Sequence, residues 1–136
     1  MDGLHLLAEF RGCRCVPELL CEATRLRRLC LDEVHAAGLN PVGELFHSFE
    51  PVGVTGVVLL AESHLALHTW PEFRVITLDV YVCNHRRDAS AAAWDLIAAL
   101  QDQFRPMNSI CREVTRGDVA DGFSPATAPQ APTWRP

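Results

Sequence analysis

The stretch Arg74-Val75-Ile76-Thr77-Leu78-Asp79-Val80-Tyr81-Val82-Cys83 alternates cleanly, with Ile76, Leu78, Val80 and Val82 on one face and Thr77, Asp79, Tyr81 and Cys83 on the other. Successive side chains of a strand point to opposite sides, so this period of two predicts a half-buried strand from a sheet with helices packed on one face. Working outward, Val54 to Leu60 is a short β-branched apolar run, and Leu65 to Trp70 stays extended until Pro71. Val42 to Phe49 is extended until Pro51 and Gly53 break it, Gly3 to Phe10 reads as a first strand, and Met107 to Val114 as a last one. After Pro17, Leu19, Ala23, Leu26, Cys30, Val34 and Ala37 recur at steps of three and four, and Gly38 closes the pattern, which predicts one helix. Asp88 is positioned to cap a second helix over Ala89 to Phe104, with Trp94, Ile97 and Leu100 as its buried stripe and Pro106 as its stop. The order of elements predicts an α+β two-layer sandwich: one largely antiparallel sheet with helices on one face. Its other face must pack on a second subunit or line a site, so a homodimer is expected.

At 136 residues the chain holds one domain, residues 1–117, and the Pro- and Ala-rich residues 118–136 are expected to form a disordered tail. A net charge of -5 argues against a nucleic-acid footprint, and Arg86 with Arg87, like Arg25, Arg27 and Arg28, reads as a solvated face. No apolar run approaches the roughly 20 residues of a membrane span, and the first residues alternate like a strand rather than a signal peptide. The six scattered cysteines then point to reduced thiols in a cytoplasm, with Cys13 and Cys15 too few for a metal or redox site. One absence weighs more: all 12 Lys and Arg residues are arginines. Pyridoxal phosphate is held through a lysine, so that route to amine chemistry is closed, as is a Walker-type phosphate loop.

The densest stretch lies between Phe46 and Cys83. Phe46-His47-Ser48-Phe49-Glu50-Pro51-Val52-Gly53-Val54-Thr55-Gly56, Ala61-Glu62-Ser63-His64-Leu65-Ala66-Leu67-His68-Thr69-Trp70-Pro71-Glu72 and Asp79-Val80-Tyr81-Val82-Cys83 closely resemble the prokaryotic S-adenosylmethionine decarboxylases. The opening Leu6-Leu7-Ala8-Glu9-Phe10 is similar to the first strand of that family. The resemblance implies a chain that cuts itself between Glu62 and Ser63 into residues 1–62 and 63–136. In that chemistry the Ser63 hydroxyl attacks the Glu62 carbonyl, the ester is broken by β-elimination, and residue 63 becomes a pyruvoyl group that forms a Schiff base with the substrate amine. It further implies His68 for the proton steps of processing, Thr55 for supporting hydrogen bonds, and Cys83 for returning a proton to the substrate α-carbon. Phe49 and Trp70 are candidates to stack on adenine and attract a sulfonium, with Glu72 beside them. The pyruvoyl group made from Ser63 is then the cofactor, with no pyridoxal phosphate and no metal; His64 and His68 imitate a helical zinc pair but fall in a strand.

The physical need agrees with this reading. Decarboxylation of an amino acid leaves a carbanion, and an electrophilic carbonyl bonded to the amine can take up its electrons. A serine hydroxyl becomes a nucleophile only when a neighbour handles its proton. The lead substrate is S-adenosylmethionine, whose product serves spermidine synthesis. Departures from the family pattern are Val82-Cys83-Asn84 in place of Thr-Cys-Gly, and Arg74 where glycine is usual. They keep open an ornithine or arginine decarboxylase, which would need a carboxylate from Glu44, Glu50, Glu72, Asp79 or Glu113. A non-catalytic regulatory homologue is the third reading, and the presence of Ser63, His68 and Cys83 argues against it. Parity poses a difficulty: Ser63 and His68 fall on opposite faces of a regular strand, and a turn at the cleavage site is expected to reconcile them.

Overall fold

A computed structural model describes residues 2–117; the tail expected over 118–136 lies outside the described residues. Six strands form one sheet: β1 (Gly3–Arg11), β2 (Pro41–Ser48), β3 (Val54–Leu60), β4 (Ser63–Trp70), β5 (Val75–Cys83) and β6 (Asn108–Arg116). Their order is β2-β3-β4-β5-β1-β6, and every neighbouring pair is antiparallel. The sequence reading of an antiparallel sheet with helices on one face therefore holds.

The alternation seen in Arg74–Cys83 runs through the whole sheet. Leu6 and Phe10 on β1, Val54 and Val58 on β3, Leu65 and Leu67 on β4, and Ile76 and Val80 on β5 are all essentially inaccessible. They form one core with Leu26, Cys30, Val34, Leu96, Leu100 and Phe104 from the helices. Burial of side chains this size is the main stabilising contribution, at about 1.5–3 kcal/mol each.

Two helical expectations are corrected. The single helix after Pro17 is two, α1 (Glu18–Cys21) and α2 (Ala23–Ala36), separated by Glu22 in an extended conformation at φ -106, ψ 111. Thr69 supplies a reason: its buried Oγ1 donates to the Leu20 carbonyl at 2.7 Å and accepts from the Val54 N–H at 2.9 Å. The first-turn carbonyl is thus claimed by the sheet. In α3 (Ser90–Phe104) the buried stripe is Ala93, Leu96, Ile97, Leu100 and Phe104, and Trp94 is exposed. At 100° per residue Trp94 sits on the flank of that stripe. Asp88 sits one residue ahead of the N-cap, which is Ala89 rather than Asp88, yet its Oδ1 accepts from the Ser90 N–H at 2.9 Å, which holds its carboxyl below the usual carboxylate range.

The other face carries no helix. It presents Leu7, Leu45, Leu59, Trp70 and Val114, all substantially exposed, interleaved with polar side chains. Among the described residues no helix is long and apolar enough to cross a membrane.

Candidate active site

β3 and β4 form a hairpin whose turn is Ala61 and Glu62, with Leu60 registered against Ser63. Two-residue hairpins favour left-handed backbone in the turn. Neither Ala61 nor Glu62 adopts it; among the described residues the non-glycine positions with positive φ are Arg74 and Arg105. The Glu62–Ser63 bond thus joins an exposed turn to the first residue of a strand. The Cys83 N–H donates to Ser63 Oγ at 3.2 Å, tying the start of β4 to the end of β5. Both residues line a hollow of about 270 Å³ with Leu39, Leu60, Arg86 and Arg87, and Arg86 Nε lies 3.9 Å from the Glu62 carboxylate.

The two departures from the family pattern have structural explanations here. Asn84 gathers the loop leading into α3: its Oδ1 accepts from the Ala89 N–H at 2.9 Å and its Nδ2 donates to Ser90 Oγ at 3.0 Å. Arg74 is left-handed, at φ 52, where a glycine carries no Cβ penalty. Its carbonyl accepts from the Cys13 N–H at 3.0 Å. Arg74 therefore holds a left-handed backbone position that glycine occupies without strain.

A second group lies at the far end of β4. Thr55 is registered against His68, and Thr55 Oγ1 is 3.0 Å from His68 Nδ1. The Phe49 and Trp70 rings meet at 5.4 Å between centroids with a 55° tilt. Gly53, at φ +138, allows this, because a Cβ there would lie 2.3 Å from the Phe49 ring and 2.7 Å from the Thr69 carbonyl. Glu72 follows in a 3-10 turn, Pro71–Phe73.

The turn does not reconcile Ser63 with His68. It ends at Glu62, and Ser63 already belongs to β4, on the same side as Leu65 and Leu67. At about 3.3 Å per residue, His68 is ~17 Å along the strand and on the opposite face. His64 and His68 share the open face but stand ~13 Å apart by the same spacing, too far to hold one ion between them. The sequence-derived set therefore falls into two half-sets: Glu62, Ser63 and Cys83 at one end, and Phe49, Thr55, His68, Trp70 and Glu72 at the other.

Between them lies a cluster that sequence reading missed. His5 Nε2 and His64 Nε2 each lie 2.9 Å from Asp79 Oδ2. The Tyr81 ring packs against both imidazoles, with centroids 5.7 and 5.8 Å away. It lies across Gly3, where a Cβ would come within 2.6 Å of its hydroxyl oxygen. The signal was partial: each residue sits opposite the apolar positions of its own strand. Local sequence did not say that His5 and His64 flank Tyr81 in register across three strands. Asp79, one of the carboxylates considered for a basic substrate, is thus occupied by two imidazoles, and Glu44 is paired with Arg27. Away from the site, burial pushes the Cys13 thiol up to about 11 and the Cys30 thiol up to about 12.

Comparison with known proteins shows the family and the fold. Residues 4–117 match the family described as S-adenosylmethionine decarboxylase. The S-adenosylmethionine decarboxylase proenzyme of Thermoplasma acidophilum is 36% identical over 119 residues, covering 88% of this chain and 86% of the relative. That of Clostridium kluyveri is 35% identical over 115 residues, covering 85% and 86%. The crystal structure of the adenosylmethionine decarboxylase from Aquifex aeolicus superimposes with a TM-score of 0.77 at 31% identity, covering 90% of this chain and 96% of that one. On its sequence motifs, its fold and these likenesses, the chain belongs to the S-adenosylmethionine decarboxylase family.

Proposed function

We propose that this protein is a self-processing decarboxylase of S-adenosylmethionine that works as a homodimer, each site drawing one half-set from each subunit. The observation that carries this reading is the separation of Ser63 and Cys83 from Thr55 and His68 by most of the length of β4, with Thr55 and His68 on the sheet face that no helix covers. A two-fold contact is self-complementary: what one end of the strand meets, the other end meets in the partner. Stacking two open faces lays the Ser63 end of one chain near the His68 end of its partner, about 10 Å from sheet to sheet, a gap side chains can bridge. The exposed Leu7, Leu45 and Leu59 supply apolar area for that contact.

The residues suit the chemistry. Ser63 Oγ attacks the carbonyl carbon of Glu62 from a position already restrained by the Cys83 N–H. The Thr55 hydroxyl engages His68 Nδ1 and leaves Nε2 to move the protons. A pyruvoyl group at position 63 supplies the carbonyl that bonds the substrate amine and takes up the electron pair released with carbon dioxide. The Cys83 thiol, lining the same hollow, returns a proton to the α-carbon. Phe49 and Trp70 offer faces for adenine and for the sulfonium cation, with Glu72 beside them. The reading places the protein in the cytoplasm, with its thiols reduced.

An ornithine or arginine decarboxylase is disfavoured. The hollow at Ser63 is lined by two arginines, Arg86 and Arg87, and the carboxylate that also lines it, Glu62, already faces Arg86 at 3.9 Å. The test is intact mass followed by carbon dioxide release with S-adenosylmethionine, ornithine and arginine offered separately. Two chains, 1–62 and 63–136, with release from S-adenosylmethionine alone are expected. A single uncut chain, or release from either basic amino acid, overturns the reading.

A further inference from the structure

We propose that His64 is a catalytic base: its Nδ1 takes the proton that the substrate ammonium must lose before its nitrogen can attack a carbonyl at position 63. The inference rests on the function proposed above and assigns a step for which His68 and Cys83 have no part. An amino-acid substrate arrives as an ammonium ion with no free electron pair. A base beside the reacting carbonyl is therefore required, and imidazole is the side chain most often used for it.

The hydrogen-bond network identifies which nitrogen is available. Arginine has donors only, and Arg116 Nη1 lies 3.2 Å from His5 Nδ1, so that nitrogen accepts. The His5 proton is then on Nε2, which donates to Asp79 Oδ2 at 2.9 Å. His64 Nε2 donates to the same oxygen at 2.9 Å. Its Nδ1, without a hydrogen-bond partner among the described residues, keeps its lone pair. The His64 ring lies on the opposite face from the Ser63 side chain, but a carbonyl at position 63 forms on the main-chain α-carbon, one residue from His64. In histidine Nδ1 is the ring nitrogen nearer the main chain. A carboxylate fixing one nitrogen while the other acts is the recurring arrangement of a catalytic imidazole. The imidazole is also held in place by Tyr81 and by the edge-on His5 ring, 5.9 Å between centroids.

The step balances. The proton passes from the substrate nitrogen to Nδ1, and the nitrogen keeps the pair it uses on the carbonyl carbon. The proton returns to the oxygen that departs as water.

The same three donor atoms lie within 4.8 Å of one another, a spacing that could hold a cation. A metal on His5 Nε2 would move that ring's proton to Nδ1 and set it against Arg116, so the donor set favours the proton network.

The experiment compares purified, cut wild type with His64→Gln and Asp79→Asn. Glutamine can still donate toward Asp79 but is no base. S-adenosylmethionine is added with cyanoborohydride, and the mass gain of the 63–136 chain is followed in time. Phenylhydrazine, unprotonated at neutral pH, is added in parallel. Trapping of S-adenosylmethionine should slow by ~10²-fold in His64→Gln and by about tenfold in Asp79→Asn, while phenylhydrazine labels all three alike. Equal slowing with both probes, or full-rate trapping in His64→Gln, overturns the proposal. A second arm needs no carbonyl: nitrogen NMR of the uncut Ser63→Ala chain should find His64 protonated on Nε2 and bare on Nδ1. The opposite tautomer, or shifts of the His64 nitrogens on adding zinc alone, also overturns it. An uncut wild-type chain instead counts against the function proposed above and leaves this arm to judge His64.

Discussion

The two faces of this sheet are made from the same strands and obey opposite rules. Toward the helices, Leu6, Phe10, Leu65, Ile76 and Val80 pack without a gap, and Thr69 is the one buried polar side chain among the described residues. Away from them, His5, His64, His68, Asp79 and Tyr81 stand among exposed leucines. Strand alternation gives each residue one of two addresses, so the pattern that builds the core also writes the chemistry on the reverse side. The covered face is finished within one chain, while the open face leaves large apolar side chains exposed, the surface the proposed partner would cover.

The sharpest way to break that comparison is to separate the half-sets. His68→Ala alone should slow self-cleavage by ~10²-fold or more, and Ser63→Ala alone should leave a full-length, inactive chain. Co-expressed, they should form mixed dimers in which the His68→Ala chain is cut, because the Ser63→Ala chain lends its His68. Absence of rescue by mass spectrometry would remove the shared site. Next in size, Cys83→Ala should preserve much of the cleavage but lower turnover ~10²-fold; normal turnover would take Cys83 out of the acid role.

Substitutions on the two faces should then diverge. Leu67→Ala on the helix side should cost about 2–5 kcal/mol in denaturant unfolding. Leu59→Glu on the open side should change the stability of the single chain by about 0.5 kcal/mol or less while shifting sedimentation toward monomer. Equal losses in stability would mean the open face is no contact surface. The last effect, seen only at high pH, concerns a buried thiol. The Cys30 thiol is raised from 9.0 to about 12 by burial, so the unfolded chain ionises first. Stability from keeping it neutral is fully present below about pH 9 and declines as pH rises toward 12. Cys30→Ala should flatten that part of the curve.

Much of this was legible in the chain. Period-two runs identified the strands, and the Glu62-Ser63 and His68-Thr69-Trp70 motifs pointed to the family. What was not legible was set by distant partners. Thr69 divides the first helix by drawing on Leu20, and nothing in the helical spacing announces that. Trp94 looked buried because it is large and apolar, but its angle on α3 sets it on the flank of the buried stripe, partly in solvent. The His5–Asp79–His64 cluster needs strands far apart in sequence to lie side by side, and registry of that kind comes only with the assembled sheet. The parity conflict between Ser63 and His68 was visible from the start. Its proposed resolution lies in a second subunit rather than a turn.

The hairpin at Ala61 and Glu62 has a consequence for the life of the molecule. The cleavage proposed there would leave two polypeptides joined only by noncovalent contacts, with β3 on one and β4 on the other. Before the cut, the two strands find each other as parts of one chain, at an effective concentration on the order of millimolar. After it, unfolding is also dissociation, and recovery depends on dilution. Under that reading folding is done once, as a precursor, and a cut molecule that comes apart has lost the covalent memory that assembled it.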